Sequence, residues 1–246
     1  MTTIALVTGA TRGLGLATAH ALATHSDHDV TVLVGARRLD DGERVAASLT
    51  SAGHRAEALE LDVVDPASVR TAAHRVECAH GRLDVLVNNA GILPEAVTPA
   101  AEAVDLALFR RTFETNLFGA VGVLESFLPL LRRSDQPRIV NVSSTMGSLA
   151  DQTDPESPYY AMVVPAYQAS KAALNSVTIA LAKQLAGTGM VATSVCPGFV
   201  RTGLAPAAAD APTSPEEAAR VVVEAALAPA GTPSGRFVSL AGAVPW

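Results

Sequence analysis

The sequence predicts an α/β chain: a single-domain, doubly wound parallel sheet of about seven strands with helices on both faces. Three observations carry this prediction. Short β-branched runs alternate with longer Ala/Leu-rich stretches along the 246 residues. The runs are apolar throughout, as strands covered on both faces are. Each run is followed by a helical pattern, and right-handed crossovers of that kind wind a sheet in both directions. No linker or break in composition divides the chain, so residues 1–246 read as one domain.

Each element has its own signal. Thr3 to Thr8 is a strand, and Gly13 to about Thr24 a helix entered through glycine. Val30 to Val34 is a strand, Gly42 to Ala52 a helix, and Ala56 to Leu61 a strand. Asp65-Pro66 pairs a capping side chain with proline at the first helical position, which opens a helix to about His80. Leu83 to Val87 is a strand, about Ala103 to Leu131 is helical, and Arg138 to Val142 is a strand. Ala166 to Leu185 is a long helix and Met190 to Val195 a strand. Ser214-Pro215-Glu216-Glu217 is a capping-box pattern for a helix ending near Leu227, and Phe237 to Leu240 is the last strand. The Ala/Pro-rich Ala205 to Pro212 reads as a loop rather than a linker.

Composition excludes several function classes. A net charge of −6 leaves no basic footprint for nucleic acid. The apolar runs are short and interrupted, so no membrane span is expected. Met1 to Ala5 leads directly into a strand, with no charged leader before it, so a cytoplasmic location is expected. Cys78 and Cys196 stand far apart, and the six histidines form no ligand spacing, so neither a disulfide nor a metal is expected.

In a doubly wound sheet ligands bind beyond the carboxyl ends of the strands. The first strand ends in Thr8-Gly9-Ala10-Thr11-Arg12-Gly13-Leu14-Gly15. Glycine permits close approach of a phosphate, and the helix start that follows offers unpaired N–H groups to an anion. This is the position of a dinucleotide site in a Rossmann fold. The second strand ends in Gly35-Ala36-Arg37-Arg38, with no acid to hold a ribose hydroxyl. Two guanidinium groups, with Arg12 nearby, favour the 2′-phosphate of NADP(H) over NAD; the other reading is a pair of solvated arginines. Asp62-Val63 ends the third strand, where Asp62 either meets the adenine or caps the next turn. Asn88-Asn89-Ala90-Gly91 ends the fourth; its small residues leave room for ring and ribose, and Asn88 is expected to tie strands together.

Tyr167 and Lys171 are four residues apart, on one helix face. A neighbouring ammonium is expected to lower the phenol's pKa and fit it for proton transfer. Ser143-Ser144 ends the fifth strand, where a hydroxyl can meet a substrate oxygen. Asn116 lies in the preceding helix, either in a polar network or as a packing asparagine.

Taken together, these residues resemble the short-chain dehydrogenase/reductase family over nearly the full chain. The matching motifs are Thr8 to Gly15, Asp62-Val63, Asn88 to Gly91, Asn116, Ser144, Tyr167 to Lys171, and Pro197-Gly198-Phe199-Val200-Arg201-Thr202. The resemblance implies a catalytic set of Asn116, Ser144, Tyr167 and Lys171. It implies cofactor contacts from Gly9, Thr11, Arg12, Gly13, Leu14, Gly15, Arg37, Arg38, Asp62, Val63, Asn89, Ala90 and Gly91, then Tyr167, Lys171, Pro197, Gly198, Val200 and Thr202. It also implies hydride transfer between NADPH and a carbonyl, with Asn116 holding a water that resupplies the proton.

One departure is plain. Ser144 precedes Tyr167 by 23 residues, where many members have about a dozen. Residues 145–166 therefore read as an inserted loop, which also places Tyr159, Tyr160 or Met162 over the substrate or leaves them as ordinary loop packing. The family's monomeric carbonyl reductases resemble this chain in that insertion and in the C-terminal Val244-Pro245-Trp246. Monomer and homo-oligomer both stay open. Residues 203–227 form the expected substrate loop and helix; Gly203 to Thr213 holds no arginine, which suits a fairly apolar ketone or aldehyde. The competing readings are an NAD-linked alcohol dehydrogenase running oxidatively and a non-catalytic nucleotide-sensing regulator. A sugar-nucleotide epimerase would need a further substrate domain.

Overall fold

A computed structural model describes residues 2–98 and 104–246. Eight strands form one sheet among the described residues: β1 (Thr3–Thr8), β2 (Val30–Ala36), β3 (Arg55–Glu60), β4 (Val85–Asn88), β5 (Arg138–Val142), β6 (Val191–Cys196), β7 (Arg236–Ser239) and β8 (Gly242–Ala243). Their spatial order is β3-β2-β1-β4-β5-β6-β7-β8. All neighbours are parallel except β7 and β8. The doubly wound sheet is the predicted one. Its eighth strand has only two residues, too few to show a periodicity.

Helices α1 (Gly13–Ala23), α2 (Leu39–Ser51) and α8 (Pro215–Ala226) share one face of the sheet; α3 (Pro66–His80), α5 (Ala120–Leu131) and α7 (Pro165–Gln184) share the other. The alternation of strand side chains serves both faces. Ala5 and Val7 of β1 pack with Leu22 of α1 and Val222 of α8, while Ile4 and Leu6 pack with Val123 and Phe127 of α5. Phe127 and Leu22 are fully buried, each worth about 1.5–3 kcal/mol of burial.

The predicted caps hold. Asp65 accepts from Ala67 N at 2.8 Å, and Ser214 accepts from Glu217 N at 3.1 Å. The long helix expected from about Ala103 is divided: α4 (Leu106–Phe113), a π turn over Glu114–Gly119, then α5. Ala103 itself lies outside the described residues. At the end of that π turn the backbone comes close to Val63, since a Cβ on Gly119 would lie 2.9 Å from Val63 Cγ2. The 145–166 segment is more ordered than a loop. It holds a short 3-10 turn (Thr145–Gly147) and α6 (Leu149–Thr153), which begins where Ser148 Oγ accepts from Asp151 N at 3.1 Å. It is also tied to the last residue, Ala150 N donating to the Trp246 carbonyl at 3.0 Å, while Trp246 stacks on Phe237. The 203–213 segment likewise contains a 3-10 turn, Pro206–Asp210.

A row of polar side chains crosses the sheet. Asn88, Asn141 and Ser194 are direct partners on β4, β5 and β6. Asn88 Nδ2 donates to Asn141 Oδ1 at 2.9 Å, and Asn141 Nδ2 donates to Thr178 Oγ1 of α7 at 2.9 Å. Ser194 Oγ donates to the same Thr178 oxygen at 2.9 Å. Asn88 thus has the strand-tying role expected of it. No helix of the described residues is long and apolar enough to cross a membrane.

Candidate active site

The chain winds outward from β1 to β3 and returns at β4, so the loops after β1 and β4 part and leave a crevice between them. The glycine turn stands there. Gly9 and Gly13 have φ of 65° and 52°, which side chains rarely tolerate. Gly15 sits so close to its neighbours that a Cβ would lie 2.4 Å from the Gly9 carbonyl. Thr11, Arg12 and Leu14 complete the turn and the first residues of α1. Asn89 braces this turn from β4, its Nδ2 donating to the Thr8 carbonyl at 2.8 Å and the Gly9 carbonyl at 3.3 Å. Thr8 answers: its Oγ1 accepts from the N–H groups of Asn89 and Ala90, both at 3.0 Å. Thr202 lies against Gly13, where an added Cβ would come 3.2 Å from its Cγ2. The loop of Pro197, Gly198 and Val200 is thereby drawn to the glycine turn, with Val200 bridged to Thr213.

Arg12, Arg37 and Arg38 are all exposed at this end. Arg38 Nε lies 3.9 Å from Asp41, which also pairs with Arg44. A cleft of about 400 Å³ is lined by Thr11, Arg12, Asp41 and Arg44 among others. The bare glycine turn at the start of α1, beside these guanidinium groups, fits a phosphorylated dinucleotide. Asp62 takes up the turn: its Oδ1 accepts from Val64 N at 3.2 Å.

The chemical end is buried. Tyr167 and Lys171 are 7% and 4% exposed, so both must find partners inside the protein. Lys171 Nζ donates to the Val142 carbonyl at 2.7 Å and lies over the Tyr167 ring, 5.6 Å from its centroid. Ser144, just beyond β5, stands near enough to the phenol to oppose the rise in its pKa. Gly91 completes the cluster; a Cβ there would meet Asn116 Oδ1 at 3.4 Å and Lys171 Nζ at 3.6 Å. Asn116 grips the loop after β4. Its Oδ1 accepts from Ile92 N at 2.8 Å, and its Nδ2 donates to the Ile92 carbonyl at 2.9 Å and to Ser170 Oγ at 3.1 Å. Its side chain is committed to backbone and Ser170.

The expected lowering of the Tyr167 pKa is outweighed. Burial pushes the phenol above its ordinary pKa, the nearby Cys196 adds to that, and Ser144 opposes it. Burial also pulls the Lys171 ammonium down to about 8. The ammonium is held by the Val142 carbonyl and sits over the ring face. At neutral pH Tyr167 therefore holds its proton.

Two contributors escaped the sequence reading. Glu95, 5% exposed, accepts from Ala166 N and Tyr167 N, and Gln168 clasps the end of the insertion, its Nε2 donating to the Met162 carbonyl at 3.0 Å. Glu95 belongs to no motif, and its contacts span more than seventy residues; Gln168 lies within the Tyr167 to Lys171 motif, which carries no signal for its contact with Met162. Tyr160 and Met162 are exposed and Tyr159 half-buried.

Residues 3–212 match the short chain dehydrogenase family model. The chain belongs to that family. It is an oxidoreductase of the short-chain dehydrogenase class, whose members use nicotinamide cofactors. A short-chain dehydrogenase of Penicillium roqueforti is 36% identical over 242 residues, covering 96% of this chain and 92% of the relative. Among solved structures, the carbonyl reductase Sniffer of D. melanogaster aligns over 100% of both chains with a TM-score of 0.81 and 26% identity. A 3-ketoacyl-ACP reductase from Sinorhizobium meliloti aligns over 96% of each chain, with a TM-score of 0.79 and 27% identity. In this dehydrogenase Ser144 and Tyr167 are 23 positions apart in sequence.

Proposed function

We propose that this dehydrogenase reduces the carbonyl of an uncharged, largely apolar ketone or aldehyde to an alcohol, drawing hydride from NADPH. One observation carries the reading: the Tyr167 phenol is buried, with the Lys171 ammonium over its ring. The cofactor, when bound, supplies the hydride. The glycine turn from Gly9 to Gly15 would take its phosphates at the start of α1, and Arg12, Arg37 and Arg38 would take the 2′-phosphate. Asp62, Val63, Asn89, Ala90 and Gly91 would hold its adenosine and ribose, while Pro197, Gly198, Val200 and Thr202 would contact its other end.

Ser144 donates a hydrogen bond to the substrate oxygen as negative charge builds there. Tyr167 passes its proton to that oxygen, and the Lys171 ammonium offsets the charge left on the phenol. Asn116 fixes the β4 loop through Ile92. A water that resupplies the proton would not find a free donor on the Asn116 amide, because both Nδ2 hydrogens are in use.

The substrate class follows from the rim. Val97, Leu149, Tyr160, Met162, Val163, Phe199 and Leu204 are large exposed apolar side chains on the connections after β4, β5 and β6. Arg201, the nearest cation to the substrate loop in sequence, donates from Nε to the Ala211 carbonyl at 3.2 Å. The test is NADPH oxidation against a panel of ketones, aldehydes and quinones, run with the parent and Tyr167→Phe. The parent should turn over apolar carbonyls, and the variant should bind NADPH but lose about 10²–10⁴-fold in kcat. Undiminished turnover by Tyr167→Phe would remove the mechanism.

A further inference from the structure

A helix begins with N–H groups that its own residues cannot accept. For α7 the accounting is complete. Pro165, at the first position, has no N–H. Ala166 N donates to Glu95 Oε1 at 3.0 Å and Tyr167 N to Glu95 Oε2 at 2.8 Å. Gln168 N donates to the Val164 carbonyl at 2.9 Å. Val164, in the cap position, contributes no side-chain bond. The cap is supplied instead by a residue of the β4 loop.

Glu95 is an unusual place for a charge. It is 5% exposed, and no Lys or Arg pairs with it among the described residues. Buried Asp84, by contrast, meets Arg82 Nε at 3.0 Å. What balances Glu95 is the positive end of the 20-residue α7 and the two N–H donors there. A serine or aspartate at position 164 would cap the helix locally. The side chain used instead joins two parts of the site: the loop that begins Asn89-Ala90-Gly91 and the backbone of Tyr167. That loop is already gripped at Ile92 by Asn116.

We propose that Glu95 is a positioning residue: its carboxylate clamps the Tyr167 backbone to the cofactor-side loop of β4 and so sets where the phenol stands. This rests on the reading of Tyr167 as the proton donor. A cap and a clamp are separable, because Val164→Ser restores a local cap without restoring the link. Glu95→Ala should lower Tm, and kcat should fall on the order of 10–100-fold, the scale of a small misplacement. NADPH Kd, read by fluorescence, should stay within about threefold.

The double variant Glu95→Ala/Val164→Ser should regain Tm, yet keep the low kcat. Its tyrosinate absorbance, titrated with pH and assigned against Tyr167→Phe, should show Tyr167 ionising at lower pH than in the parent. Return of both kcat and the titration to parent values in the double variant would reduce Glu95 to a cap and overturn the proposal. Failure of the underlying reading looks different: Tyr167→Phe itself would then turn over normally, whatever Glu95 does.

Discussion

At the β1–β2 end the groups proposed to meet a ligand are backbone N–H groups and exposed guanidiniums; at the β4–β6 end they are buried side chains such as Lys171 and Asn116, already held by hydrogen bonds inside the protein. Arg37 and Arg38 stand in solvent, whereas Tyr167 and Lys171 are almost wholly enclosed. The first arrangement is a docking surface, where each charge is screened and replaceable. The second is a set of fixed dipoles in a water-poor space, where losing one partner strands another. Substitutions at the first should therefore move binding constants, and substitutions at the second should move turnover.

The sharpest way to break that contrast is Ser144→Ala. It should cost about 10²–10³ in kcat, the scale of one lost oxyanion donor, with NADPH Kd unchanged. A change in KM alone would put Ser144 on the docking side. Next is the pair Arg37→Ala/Arg38→Ala. The NADPH-to-NADH ratio of kcat/KM should fall by at least about tenfold, through KM, with kcat preserved. A ratio that stays put would show that these arginines are merely solvated.

The mildest test is pH. Lys171 ionises near 8 because burial disfavours its charge, so kcat for reduction should decline as pH rises through about 8. The same shift has a stability consequence of defined sign. The unfolded chain holds the lysine proton up to the ordinary 10.5, so it binds more protons than the folded chain between about 8 and 10.5. Lys171's contribution to stability should rise with pH across that window. Tyr167 acts oppositely: its pKa is raised, so its contribution should be lost above the ordinary 10.0. Urea unfolding of the parent and Tyr167→Phe, followed from about pH 8 to above the ordinary tyrosine value of 10.0, would separate the two.

The fold was legible because parallel strands and their helices leave periodic patterns, and because Asp65 and Ser214 act through neighbours in sequence. The glycine turn and the Tyr167–Lys171 pair were legible for the same local reason. What stayed hidden depends on distance and depth. Glu95 bonds residues more than seventy positions away, and nothing around Pro94-Glu95 marks it. The π turn at Asn116 needs the Ile92 backbone beside it. The direction of the Tyr167 shift needs the enclosure of the ring, which the four-residue spacing does not reveal. The order within residues 145–166 comes from Ser148 and from a tail almost a hundred residues later.

The polar row of Asn88, Asn141 and Ser194 has a consequence for how the sheet assembles. Strands that are apolar on both sides offer little to distinguish one alignment from its neighbour. Sliding β5 by one residue would turn Asn141 to the opposite side of the sheet and strand three amide or hydroxyl groups, at about 1–3 kcal/mol each. The row thus acts as a proofreading mark for strand pairing. Because Asn89 and Ser144 lie only one and three residues beyond it, the mark also sets the distance between the residue that braces the glycine turn and the hydroxyl proposed to meet the substrate oxygen.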